Sequence, residues 1–94
     1  MQFLITAYDG KDDKALDRRL AARDSHLARG KTFSDLGNIL KGGAIISDAG
    51  AMIGSALLVE FDSREEVDKW LEEDPYVAGN VWNEITVVQV KLAF

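Results

Sequence analysis

One histidine and no cysteine stand among 94 residues, and that scarcity narrows the chemistry open to the chain. A cysteine nucleophile, a disulfide and a zinc–thiolate site are excluded outright. A lone histidine excludes a multi-histidine metal cage, and no glycine-rich nucleotide loop follows a strand. What remains is proton transfer by His26, oriented by a carboxylate from a separate helical segment. Asp74 is the candidate. Val67, Trp70, Leu71 and Asp74 fall at i, i+3, i+4 and i+7, so helical spacing aligns this carboxylate with an apolar stripe. If Asp74 bonds one ring nitrogen of His26, it fixes the tautomer and raises imidazole basicity, leaving the other nitrogen free to move a proton. Such acid–base catalysis is worth roughly 10² to 10⁴ in rate, enough for a substrate that is already reactive. Both residues also have a plain structural reading. Asp followed by Pro is a favoured N-cap and first helical position. A lone helical histidine is often half-buried with its hydrogen bond satisfied. The two readings are compatible, and residue types leave both open.

Around His26 lie Arg18, Arg19, Arg23, Arg29 and Lys31, and a mixed-charge helix surface is ordinarily just solvated. Arg23 is the exception to expect. Three residues before His26, it shares that side of a continuous helix and could hold an anionic or phenolic substrate. Tyr8, Tyr76 and Trp82 are the aromatic candidates to line the same pocket. Asp9 to Asp13 resembles a fragment of a calcium loop but lacks the spaced acidic pattern and distal glutamate, so it is expected to be a turn and helix cap. Neither a metal nor a cofactor is expected.

The elements that must position these groups follow from pattern. Gln2–Tyr8 is a first strand, apolar on both faces. Asp13 to about Leu36 is helical, with Leu16, Leu20, Leu27 and Ser34 on one side. Asp24 and Ser25 as caps, with Gly30 as a weak point, allow a break near residues 22 to 25. Gly37 ends the helix, and Asn38–Ser47 is a second strand whose Gly42-Gly43 pair signals a bulge or a close backbone approach. Gly54–Phe61 is a third strand, again apolar on both faces. Ser63 and Glu66 form a capping box that starts the helix ending at Asp74. Pro75–Asn80 adds one turn, and Glu84–Phe94 is the last strand.

The order βαββαβ predicts one domain over residues 1–94 with a ferredoxin-like α+β fold, four antiparallel strands carrying helices on one face. The other face should then meet water, yet its strands are apolar. A second copy about a two-fold axis is the simplest cover, so a homodimer through the open sheet face is expected. An RNA-recognition domain of the same topology would carry aromatic and basic residues on its third strand, and Gly54–Phe61 has no such pattern. A net charge of −5 likewise argues against a phosphate backbone as partner. No apolar run approaches the roughly 20 residues of a membrane helix, and the first residues lack the basic and apolar regions of a signal peptide. With no cysteine, a cytoplasmic location is expected.

Arg18-Arg19-Leu20-Ala21-Ala22-Arg23-Asp24-Ser25-His26-Leu27, the stretch Asp74-Pro75-Tyr76-Val77 and the apolar end from Val88 to Phe94 closely resemble the YciI-like (YCII-related) proteins. The resemblance spans nearly the whole chain through two short motifs, Arg-x-x-His-Leu and Asp-Pro-Tyr. It implies a dimeric α+β barrel and a histidine–aspartate centre falling on His26 and Asp74. Chloride elimination from hydroxylated chloroaromatics is linked to one branch of that family. Gly43-Ala44 stands where the family has Gly-Pro, so the pocket rim there is expected to differ. Two functions follow as expectations. One is a cofactor-independent lyase or isomerase with His26 as acid or base, Asp74 orienting it and Arg23 holding the substrate. The other is a non-catalytic dimeric module that binds a small ligand or merely associates.

Overall fold

Alternation along the first strand decides which side of the sheet becomes the interior. β1 (Gln2–Asp9) buries Phe3, Ile5, Ala7 and Asp9 and turns Gln2, Leu4, Thr6 and Tyr8 to the opposite face. In the computed structural model, which describes residues 1–94, there follow α1 (Ala15–Asp35), β2 (Ile39–Ile46), β3 (Met52–Glu60), α2 (Arg64–Glu72), α3 (Pro75–Ala78) and β4 (Trp82–Val90). The strands lie in the order β2-β3-β1-β4, with every neighbouring pair antiparallel. This is the ferredoxin-like α+β arrangement. Its core joins Phe3, Ile5, Leu57 and Val59 from the sheet to Val67, Trp70 and Leu71 from α2, with Tyr76, Val81 and Trp82 closing the end nearest α3.

Local chemistry explains the boundaries. Ser63 caps α2 by accepting from the Glu66 amide at 3.2 Å, while the Glu66 carboxylate accepts from the Asp62 amide rather than that of Ser63, a capping box widened by one residue. Gly37 follows α1 at φ 88°, a left-handed conformation that glycine adopts without strain. Gly54 has no alternative either, since a side chain there would collide with the Ala7 carbonyl oxygen of the adjacent strand.

Three expectations need correction. First, α1 is a single 21-residue helix, running through residues 22–25 and Gly30. Its inward row is Ala15, Arg19, Ala22, His26, Arg29 and Phe33, whereas Leu16, Leu20 and Leu27 are about half exposed. The row keeps one phase across residues 22–25, which an interrupted helix would not. Second, β4 starts two residues earlier than expected and stops at Val90, because Val90 pairs with Gln2 and β1 extends no further. Leu92 instead donates its amide to the Gln2 side chain at 2.9 Å. Third, β3 begins at Met52 rather than Gly54. β2 is irregular at two places, between Ile39 and Lys41, just before the double glycine, and between Ile45 and Ile46, and at Gly42 an added side chain would collide with Leu57 of β3.

The outer sheet face carries Leu4, Ile45, Ala56, Leu58, Val88 and Val90 beside Tyr8. Nothing within the chain covers it. No helix is long and apolar enough to cross a membrane.

Candidate active site

Asp74 is the hub of the site. At 2% exposure it is buried between α2 and α3, where Pro75 sets the first helical position and the carboxylate caps α3 by accepting from the Tyr76 amide at 2.9 Å. The same oxygen, Oδ1, lies 2.7 Å from His26 Nδ1, and Oδ2 accepts from Arg29 Nη1 at 3.2 Å. A carboxylate this close holds the imidazole proton on Nδ1, so Nε2 is left as the acceptor nitrogen. Nε2 makes no hydrogen bond within the chain. The ring is held flat on Tyr76, with centroids 3.7 Å apart and planes 6° from parallel, and meets the edge of Trp82 at 5.5 Å.

α1 delivers this arrangement by placing His26 and Arg29 one turn apart on its inward face. Arg29 is no solvated surface cation. It donates to the Trp70 carbonyl at 2.9 Å and lies over the rings of Phe33 and Trp70. Its place three residues after His26 on a continuous helix is the sequence signal that sets it apart from the other helix cations.

A second buried network supports the first. Arg19 Nη1 donates to both oxygens of Asp9, at 3.0 and 2.9 Å, and Nη2 to Ser55 Oγ at 3.3 Å. Trp82 Nε1 donates to the same Ser55 oxygen at 3.1 Å, and the Arg19 guanidinium stands 5.0 Å from the Tyr76 ring centroid. Asp9, expected in the turn after β1, is instead the last residue of that strand. Continuing the inward alternation of Phe3, Ile5 and Ala7 by one more step finds it.

Between α1 and the β2–β3 side of the sheet opens a cavity of about 540 Å³, whose wall includes Arg19, Arg23, His26, Ser55, Trp70 and Tyr76 and whose β2 side includes Gly42, Gly43 and Ala44. Arg23 is exposed at its wall and forms no ion pair. Burial pushes the Tyr76 phenol above its ordinary value, partly opposed by the positive charges of Arg19 and Arg23. The Tyr76 side chain thus stays protonated and neutral near pH 7. No group of three or more potential metal ligands gathers anywhere.

The expected residues therefore divide. His26, Asp74, Arg23 and Tyr76 come together at the cavity. Tyr8 does not, because strand alternation sends it to the outer face, where it is 43% exposed. Trp82 stands behind the wall as a buttress, its ring edge against His26 and Tyr76 and its indole nitrogen spent on Ser55.

The profile of the YCII-related domain matches residues 1–91. Protein YciI of Escherichia coli is 36% identical over 100 residues, covering 100% of both chains, and an uncharacterized protein of Haemophilus influenzae is 33% identical over 101 residues, again covering 100% of both. Among solved structures, the 5-chloro-2-hydroxyhydroquinone dehydrochlorinase of Burkholderia phenoliruptrix, in complex with 2,5-dihydroxybenzoquinone, superposes with a TM-score of 0.86 at 26% identity over 97% of this chain and 94% of that one. A NIPSNAP domain protein of Burkholderia xenovorans shares the fold at 16% identity, with a TM-score of 0.51 over 100% of this chain and 97% of its own.

Proposed function

Because the chain belongs to the YCII-related domain family, we propose that it is a cofactor-independent enzyme of lyase or isomerase type, acting on a small anionic or phenolic ring. The observation that carries this reading is the 2.7 Å contact between His26 Nδ1 and Asp74 Oδ1, beside a cavity that His26 itself lines and with Nε2 unpartnered. In the proposed reaction Nε2 takes the proton of a substrate hydroxyl, and Asp74 steadies the imidazolium that forms. The electron pair left on oxygen moves into the ring. It draws the proton back from His26 at a ring carbon, which is an isomerase outcome; where that now tetrahedral carbon bears a leaving group, deprotonation of a second ring hydroxyl at Nε2 sends its pair through the ring to expel the group with its bonding pair, which is a lyase outcome. Arg23 and the Arg19 charge favour the transient anion. The dehydrochlorinase likeness supports a hydroxylated aromatic as the substrate class.

The working form we assign is a homodimer closed over the outer sheet faces, since Leu4, Leu58 and Val88 would otherwise leave apolar sheet in water. The absence of cysteine accords with the cytoplasm, the location we assign.

The test begins with 2,5-dihydroxybenzoquinone as a probe, followed through the ring nitrogen resonances of His26, and continues with chloride release from hydroxylated chloroaromatics. Binding should shift the Nε2 resonance, and His26→Ala should lower turnover by about 10² or more while remaining folded. Full activity in a folded His26→Ala protein sinks the catalytic reading. The second reading, a non-catalytic dimeric ligand-binding module, is favoured by the cap at Tyr76 and the bond from Arg29, which give Asp74 structural work independent of catalysis. Probe binding that is unchanged in His26→Ala, with no turnover of any hydroxylated aromatic, would select it.

A further inference from the structure

The hydroxyl of Ser55 has a hydrogen with nowhere in the chain to go. A serine hydroxyl offers two acceptor positions and one donor hydrogen. Both acceptor positions are occupied, by Arg19 Nη2 at 3.3 Å and Trp82 Nε1 at 3.1 Å, and the hydroxyl donates to no other group. Ser55 is only 4% exposed and lines the same cavity as His26, so the donor is available on the cavity side alone. Arg19 Nε is also buried without a partner. An oxygen that receives two N–H bonds, one from a guanidinium, is a poor base and a strengthened donor.

We propose that Ser55 is a ligand-binding residue that donates its hydrogen to an oxyanion on the substrate ring, with Arg19 and Trp82 as positioning residues that fix the hydroxyl and sharpen its acidity. The inference rests on the ring-oxygen ligand of the proposed function and adds the group that receives the charge. Ser55 and His26 line the same cavity of about 540 Å³, and the Trp82 ring that donates to Ser55 lies 5.5 Å from the His26 ring, so the anion donor and the proton acceptor face one ligand space. The arrangement selects rings bearing at least two oxygens, one giving up a proton at His26 and one accepting at Ser55.

The experiment titrates wild type, Ser55→Ala and Ser55→Thr with 2,5-dihydroxybenzoquinone, reading both the dissociation constant and the ligand's visible band at saturation. Losing one hydrogen bond to a charged acceptor should weaken Ser55→Ala about ten- to a hundredfold. The band shift on binding should shrink, and Ser55→Thr, which keeps a hydroxyl, should restore both. If stranding the Arg19 and Trp82 donors unfolds the alanine variant, Ser55→Cys carries the same test, because sulfur preserves bulk while donating far more weakly. A folded Ser55→Ala or Ser55→Cys protein that binds within about twofold of wild type with an unchanged band overturns the assignment. So does equal weakening in Ser55→Ala and Ser55→Thr, which would reflect cavity shape. Failure of the wild type to bind overturns the substrate class as well, which separates the two claims.

Discussion

Replacing Asp74 with alanine places the heaviest demand on the site geometry. The carboxylate is 2% exposed and serves the Tyr76 amide, His26 and Arg29 at once. Losing the cap costs about 0.5–2 kcal/mol. Removing one partner of a buried ion pair costs about 3–5 kcal/mol. Arg29, 17% exposed, retains the Trp70 carbonyl at 2.9 Å and Glu73 at 3.7 Å, which puts this site at the low end of that range. The two losses overlap, so the expected total is about 3–4 kcal/mol. In a domain of this size each kcal/mol moves the melting temperature by about 4–8 °C, giving a fall of at least about 12 °C. Asp74→Asn keeps Oδ1 for Tyr76 and His26 but takes the anion from Arg29 and turns an amide donor toward it, so it should cost about 2–3 kcal/mol, less than alanine by about the worth of the cap. Equilibrium urea unfolding followed by tryptophan fluorescence measures both, at one protein concentration because association shifts apparent stability. An Asp74→Ala protein within about 1 kcal/mol of wild type, or an Asp74→Asn protein equally damaged, would refute the shared-carboxylate geometry.

The other predictions concern the second network, alkaline pH and assembly. Arg19→Met should cost about 3–5 kcal/mol by leaving Asp9 buried without its cation, and adding Asp9→Leu should recover most of it; urea unfolding of the single and double variants decides. Tyr76 has a folded-state pKa above its ordinary 10.0, so the folded protein holds this proton more tightly than the unfolded chain. Stability should therefore be intact below about pH 10 and decline as pH rises through the folded value, and Tyr76→Phe should flatten that decline in urea midpoints measured between pH 8 and pH 11. Identical slopes would contradict the burial argument. Sedimentation at micromolar concentration should give twice the chain mass, and Leu58→Glu on the outer face should convert it to monomer; a wild-type monomer would dismiss the sheet-to-sheet dimer.

Much of this molecule was legible because single residues carried local meaning. Ser63 with Glu66 announced α2, Asp74 with Pro75 announced α3, and the order of elements fixed the sheet. The partners of His26 and Asp74 were harder. The side of α1 carrying Leu16, Leu20 and Leu27 is about half exposed although leucine normally faces inward, and His26, seven residues before Phe33, could be placed on the inward face, but Arg19 and Arg29 beside it could not. Their partners, Asp9 and Asp74, lie on other elements, and only the three-dimensional fold tells which polar row finds satisfaction. Tyr8 and Asp9 exchanged their expected roles for a related reason. Strand alternation runs one residue further than the turn composition implied, and the register shift between Tyr8 and Asp9 lets β4 bring Trp82 opposite Asp9.

The four residues of α3 are too few to hold a helix by propagation, because nucleation alone outweighs what so few backbone bonds return. Its first turn is closed by the oxygen that also grips His26. Opening of α3 therefore disturbs the oxygen that His26 contacts, so the local stability of this turn and the placement of the imidazole are coupled. A ligand that engages His26 would be paid for partly in helix, so affinity and the amide-exchange protection of residues 76–80 should rise together.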